Sequence, residues 1–241
     1  MSPATGQKAA KRGYKCQSDF LNLVNLDSNF NARLKKSLNL DKERLIAKKP
    51  LSNIEKTDVV LVVLPDKEIG CSIKAAEINF NQLERVWLKD LASDIKMPKN
   101  IEEAIQACID NRRLKKSKKF ISGAYSQQIV KYFSGNMDVL LNRIFTRNNP
   151  LLRYFIVYDY TNKKWHISEI TTVINYIKKQ PITISNGGVL YFGDSLTLQK
   201  KGGNGSHIKI PKSNPAHPGN QIQFKIKPLS IVRNILSTKT I

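Results

Sequence analysis

Thr57-Asp58-Val59-Val60-Leu61-Val62-Val63-Leu64-Pro65-Asp66-Lys67-Glu68-Ile69-Gly70-Cys71-Ser72-Ile73-Lys74-Ala75-Ala76 decides how this chain folds. Thr57 to Leu64 is a valine-rich apolar run, the composition of a strand covered on both faces. Pro65-Asp66 is turn chemistry, with proline fixing φ, and Ile69 to Ala76 returns to strand composition. The stretch therefore predicts a β-hairpin. Side chains alternate along a strand, so Ser72 and Lys74 share one face and Ile73 takes the other. Asp58 and the Ser72-x-Lys74 pair are thereby set on neighbouring strands.

Upstream, residues 1–15 are polar and basic and read as a loose arm that could touch phosphate. Asp19 to Leu26 and Phe30 to Leu38 carry apolar residues at helical spacing. Downstream, Asn79 is a candidate helix cap, followed by a stripe of Leu83, Val86, Trp87 and Leu91 that Met97-Pro98 ends. A further helix is predicted over Ile101 to Ile109. Arg112 to Lys119 then packs six positive charges into eight residues, ahead of a long helix predicted from Ser126 to Phe145. Past Pro150 the pattern turns to short strands: Tyr154 to Tyr160, Lys164 to Ser168, Ile182 to Ser185, Val189 to Phe192, Leu196 to Gln199 and Ile222 to Ile226, with one helix near Thr171 to Lys178. The expectation is a mixed α/β fold, a central mixed sheet flanked by helices. A core spans 16–150, and a β-rich part, 151–241, forms a second sheet continuous with the same globule.

Composition narrows the function. The chain has 241 residues, 41% of them hydrophobic, enough to bury a proper core. Lys+Arg number 40 against 19 Asp+Glu, a formal charge of +21. Such an excess tracks a polyanion, with nucleic acid ahead of a membrane surface. No run approaches the 18 or so apolar residues of a spanning helix, and the N-terminus lacks a signal-peptide core, so a soluble intracellular protein is expected. Cys16, Cys71 and Cys108 are scattered, with no CxxC, and read as reduced, mostly buried thiols rather than disulfide partners or zinc ligands.

A carboxylate on one strand facing a lysine on the next can hold a hydrated divalent ion against a phosphodiester. Mg²⁺ takes oxygen ligands and keeps several waters, so one carboxylate, a backbone carbonyl and the substrate phosphate suffice. Asp58 would be that carboxylate, the Ile73 carbonyl a further ligand, and Lys74 the group that orients the attacking water. Taken alone, the pattern is equally a strand-end acid and an exposed lysine.

The stretches Lys56-Thr57-Asp58, Ser72-Ile73-Lys74, Phe80-Asn81-Gln82-Leu83-Glu84-Arg85-Val86-Trp87-Leu88, Leu198-Gln199-Lys200-Lys201-Gly202-Gly203-Asn204-Gly205 and Gln223-Phe224-Lys225-Ile226 recur in a known order. From about Gly6 to Pro228 the chain resembles the HinPI/MspI group of type II restriction endonucleases, in the PD-(D/E)XK nuclease superfamily, nearest to the member that cuts GCGC. The resemblance implies a Mg²⁺-dependent (Mn²⁺ may substitute) enzyme that cuts both strands of a short G·C palindrome and leaves 5′-phosphates. It also implies a bacterial cytoplasmic setting, a cognate methyltransferase protecting host DNA, and no membrane partner. Monomer and homodimer both stay open.

Carried over residue by residue, Asp58 becomes the metal-binding carboxylate and Lys74 the catalytic lysine. Ser72 fills a slot where the group has Gln or Asn, and its shorter hydroxyl reaches a metal only through water. Gln17 and Asp19 are candidates for a supporting polar role, with plain helix solvation as the alternative. Gln223 and Lys225 are placed at base edges, with Phe224 turned into the core. Phe80 either wedges between bases while Gln82 enters a groove, or packs back onto Leu83 or Trp87. Lys115, Lys116, Lys200, Lys201 and Asn204 are candidates for the DNA backbone or groove. Two readings of other kinds remain: a non-catalytic nucleic-acid-binding protein and a structure-selective repair nuclease.

Overall fold

The valine-rich stretch folds as its composition dictates. Preceded by β1 (Leu45–Lys48), β2 (Val59–Val63) and β3 (Lys67–Ala76) pair antiparallel from Val59↔Cys71 to Val63↔Lys67. The computed structural model describes residues 3–51, 56–76, 80–201 and 208–241, with side chains from residue 10 onward. They form two units, one drawn from Ser2–Asn79, Phe145–Tyr176 and Pro228–Ile241, the other from Phe80–Ile144 and Ile177–Lys227. The chain passes between these units more than once.

In the first unit β3 pairs parallel with β5 (Leu152–Asp159), which continues to β6 (Lys164–Glu169) and β11 (Lys239–Thr240). The result is a six-stranded mixed sheet in the order β1-β2-β3-β5-β6-β11. α1 (Pro3–Leu26) and α2 (Ser28–Leu38) cover it, with Phe20, Val24, Phe30 and Leu34 buried against Leu61, Ile73, Ile156 and Trp165. Phe20 stacks 5.0 Å from Trp165 and 5.9 Å edge-on from Phe30, ring to ring. Full burial of each such side chain contributes about 1.5–3 kcal/mol. Asp27 caps α2 by accepting from the Phe30 N–H at 2.9 Å.

Of the predicted loose arm, 1–15, the described residues 3–15 are instead the first half of α1. Proline suits a first helical turn, and Gln7, Lys8, Ala9, Ala10, Lys11 and Arg12 are strong helix formers, so propensity outweighs polarity here. Arg12 also docks, its guanidinium 4.0 Å over the Tyr160 ring.

The second unit holds an antiparallel sheet of β4 (Asn81–Val86), β10 (Ile222–Ile226), β9 (Leu196–Lys200), β8 (Leu190–Phe192) and β7 (Ile182–Ile184), in that order. Leu190, Phe192, Leu196, Leu198, Ile222, Phe224 and Ile226 are all fully buried, forming one apolar face. Its helices are α3 (Leu88–Asp94), α4 (Lys99–Arg113), α5 (Ser126–Gly135) and α6 (Met137–Thr146). α7 (Ile170–Lys178) follows β6, and α8 (Pro228–Asn234) packs on β3, β5 and β6 within the first unit.

Three expectations change here. The helix predicted from Asn79, itself outside the described residues, is a strand over Asn81–Val86 and a helix only from Leu88. β10, some 140 residues away, recruits the segment as its neighbour, and such long-range pairing overrides local periodicity. The buried carboxylate of Glu84 is met by Arg143 at 3.0 Å, which also binds Asp94 at 2.5 Å. The helix over Ser126 to Phe145 breaks between Gly135 and Asn136, whose amide donates to the Tyr132 carbonyl at 2.8 Å. The strands past residue 150 do not make one sheet: β5 and β6 join the first, β7 to β10 the second.

Candidate functional site

β2 starts at Val59, so the edge of β3 beyond Cys71 has no β2 ladder partner, and Asp58 turns its carboxylate onto that edge. The Asp58 N–H donates to the Cys71 carbonyl at 2.8 Å, fixing the backbone. Asp58 Oδ2 then accepts from the Ile73 N–H at 2.7 Å, from Lys74 Nζ at 3.1 Å and from Ser72 Oγ at 3.3 Å. Asp58 Oδ1 accepts from Gln17 Nε2 of α1 at 2.8 Å. Every one of these residues belongs to the first unit. The Asp58 and Lys74 side chains keep 21% and 19% of their surface, so the pair is sheltered yet reachable.

The preceding residue is held as firmly. Thr57 is buried and accepts from Asn149 Nδ2 at 3.1 Å. A Cβ on Gly70 would come within 2.9 Å of the Thr57 hydroxyl and 3.1 Å of the Leu151 carbonyl, so a side chain there would crowd the residue that precedes Asp58.

Asp58, Ser72, Ile73 and Lys74 are thus brought together, as is Gln17. Asp19 is not: it pairs with Lys15 at 2.7 Å on the exposed side of α1. Nothing in the spacing foretells the Gln17 contact, which spans 41 residues and exists only once α1 lies over the sheet. Cys16, next to Gln17, is buried, and burial, with Asp19 adding to it, pushes its thiol up to about 12. Cys71 and Cys108 are buried and free as well, so none of the three is a thiolate at neutral pH. Among the described residues no three His, Cys, Asp or Glu side chains cluster as a metal cage. The site offers one carboxylate, one hydroxyl, an amide and backbone. Since N–H and C=O of one residue face the same edge of a strand, the Ile73 carbonyl lies on the Asp58 side.

The other candidates lie in the second unit. On β10 Phe224 is fully buried while Gln223 and Lys225 take the opposite face. Gln223 Nε2 donates to Gln82 Oε1 at 2.8 Å, joining two residues 141 positions apart. Phe80 packs edge-on against Tyr191, 6.3 Å between centroids, with the Lys227 ammonium 4.7 Å over its ring. It is not stapled to a helix, because no helix starts there. Lys115 and Lys116 are exposed after α4, with Lys115 at φ 59°. Lys200 donates to the Gly219 carbonyl at 2.6 Å and is half-buried. Burial first, then the neighbouring Arg112, Lys212 and Arg113, lowers it to about 8. Lys201 is lowered too, by burial and by Arg85. Asn204 lies outside the described residues. No helix among the described residues is long and apolar enough to cross a membrane.

No protein-family model matches the chain, and no curated protein matches it in sequence. In fold it is similar to the crystal structure of restriction endonuclease MspI in complex with its cognate DNA. The TM-score is 0.62 over 93% of this chain and 93% of that one, at 12% sequence identity. At that identity the likeness establishes the fold, a mixed α/β architecture with a central mixed sheet flanked by helices.

Proposed function

We propose that this chain is a divalent-cation-dependent endonuclease of double-stranded DNA, cutting a short G·C palindrome with GCGC as the first candidate and leaving 5′-phosphates. The observation that carries this is Asp58, its carboxylate turned onto the open edge of β3 beside Lys74. A charge of +21 and a fold shared with a nuclease crystallised on DNA support it.

The donor set fits Mg²⁺, with Mn²⁺ as a substitute: the Asp58 carboxylate, the Ile73 carbonyl and Ser72 through a water are hard oxygens, too few for an all-protein cage but enough for an ion that keeps its own waters. When bound, such an ion lowers the pKa of its water and neutralises charge on the scissile phosphate. The chain supplies the rest. Gln17 and the Ile73 N–H lock both carboxylate oxygens in place, which is preorganisation. Lys74, released from Asp58 as substrate arrives, orients the attacking water and donates to the developing negative charge. A methyltransferase that protects host DNA, a bacterial cytoplasmic setting, and a monomer or homodimer complete the reading.

Digestion of unmethylated phage DNA with Mg²⁺ or with EDTA tests it. Discrete bands that need Mg²⁺ are expected, and sequencing their ends gives site and stagger. A smear would replace the site-specific reading with a structure-selective or unspecific nuclease. Intact, gel-shifted DNA under all conditions would leave a non-catalytic binder, in which Asp58 and Lys74 are only an ion pair.

A further inference from the structure

We propose that Arg85 and Gln199 read base edges on either side of Gln223, making the polar face of the second sheet a reader of G·C pairs; this deepens the endonuclease reading and rests on it. The strand register carries the inference. Gln223 on β10 lies directly opposite Arg85 on β4 and Gln199 on β9. Directly opposed residues share a face, so three side chains from three strands form one row. Neighbouring strands lie about 4.8 Å apart, so the row is about 10 Å wide, within the roughly 12 Å of a major groove.

A bulge enlarges this face. β4 holds one residue more than β10 between the partners of Phe224 and Lys225, which face Glu84 and Gln82. Leu83 is that extra residue. Without it, alternation would turn Gln82 into the core; with it, Gln82 stands opposite Lys225 and beside Gln223. Past the end of β9 the pairing runs on through the Lys201 N–H to the Gln221 carbonyl at 2.8 Å, and alternation puts Lys201 on the face of Gln199. Lys201, lowered by burial first and then by Arg85, stands beyond Gln199 on β9, across β10 from Arg85.

The face therefore presents Arg85, Lys201 and Lys225 with the amides Gln82, Gln199 and Gln223. Glu84, the one acid of β4, points to the opposite face and is spent on Arg143. Guanine shows two acceptors, O6 and N7, which an arginine fork meets with two bonds, and a glutamine oxygen can accept from the cytosine amino group. Arg85 is exposed and Gln199 half-buried around a nearly buried Gln223, so the row has a floor and an outward arm.

The test is competitive binding in EDTA by wild type, Arg85→Ala, Arg85→Lys and Gln199→Ala, against the site found by end sequencing, each single base-pair change of it, and duplexes carrying 7-deazaguanine, which lacks N7. Loss of about 5- to 150-fold in discrimination, confined to one base pair for each residue, is expected. Arg85→Ala should also become indifferent to the deaza substitution that weakens wild type, and Arg85→Lys should recover charge but not selectivity. Variants that discriminate like wild type, or that weaken equally on every duplex with a shallower salt dependence, would overturn the assignment and leave phosphate contacts or scaffold. Selective wild-type binding to a site recovered by binding selection, with the DNA left intact in Mg²⁺, would sink the endonuclease reading alone. Cleavage at a discrete site with no wild-type binding preference in EDTA would sink the base-reading assignment alone.

Discussion

Among the described residues the Asp58 carboxylate has four partners within 3.3 Å, and they separate chemistry from folding. Asp58→Ala removes a carboxylate that no sheet hydrogen bond of β2 requires, and Lys74→Ala removes an ammonium while Gln17, Ser72 and the Ile73 N–H still hold the acid. Both variants should lose DNA cleavage by at least about 100-fold, the lower end for a positioned catalytic group, while gel-shift affinity persists. Cleavage by either variant at the wild-type rate would misplace the site. Lys200 makes a prediction of another kind. Its folded value is lowered to about 8 from 10.5, so between those limits the unfolded chain binds the proton that the folded chain has lost. Stability contributed by this residue therefore rises with pH through that window, and below about pH 8 the burial of its charge works against folding in full. Lys200→Met should unfold at higher denaturant than wild type at pH 7, and the gap should narrow by pH 10. A gap independent of pH would show that burial, with the cationic neighbours adding to it, does not lower Lys200 in the folded chain.

At the scale of elements, β4 shows how a single buried acid commits distant pieces to one another. The Glu84 side chain keeps 1% of its surface and Arg143 of α6 keeps 13%, with Asp94 completing the cluster. Glu84→Ala leaves a guanidinium with only its half-exposed partner, and removing one member of a buried pair costs about 3–5 kcal/mol. Because Asp94 remains, about 3 kcal/mol is expected in denaturant unfolding. The double variant Glu84→Met with Arg143→Met should cost less than Glu84→Ala alone, and a larger cost would mean the pair favours folding outright. The same strand marks where sequence reading fails. The hairpin of β2 and β3 was legible, and with it the nearness of Asp58 and Lys74, because Asp58 immediately precedes β2, Lys74 lies on β3 16 residues on, and a tight turn joins the two strands. β4 read as a helix because its cues, Leu83, Val86 and Trp87, have helical spacing, while its neighbour β10 and the ion partner of Glu84 lie far along the chain. Gln17 reaches Asp58, and Gln82 reaches Gln223, only after tertiary pairing, which no local period encodes. Gln82 joins the polar face of Arg85 and Gln199 only through a bulge, and one inserted residue inverts every inside-outside expectation beyond it.

For the whole molecule, the charge and the order of the segments matter most. A chain with 40 basic residues against 19 acidic ones should bind DNA largely through released counterions. For 6–10 phosphate contacts affinity falls about 10³–10⁵-fold between 50 and 200 mM salt. A nearly flat log–log plot of affinity against salt would contradict a duplex held by its backbone. Segment order bears on folding itself. An apparent boundary at residue 150 invites cutting the chain there, yet β3, which carries Ser72, Ile73 and Lys74, has β5 as its parallel neighbour from Gly70↔Leu152 to Ala76↔Asp159. β6, β11 and α8 also belong to the unit that holds the site. Removing residues 151–241 would expose the edge of β3, strip Ile73 and Cys71 of the strand beside them, and take away Trp165, on which Phe20 and Phe30 pack. The fragment 1–150 should therefore show no cooperative unfolding transition and no Mg²⁺-dependent cleavage. A fragment that melts cooperatively with near-native secondary structure would mean that the first sheet is complete without its parallel partner, against the register that places Lys74 beside Val157.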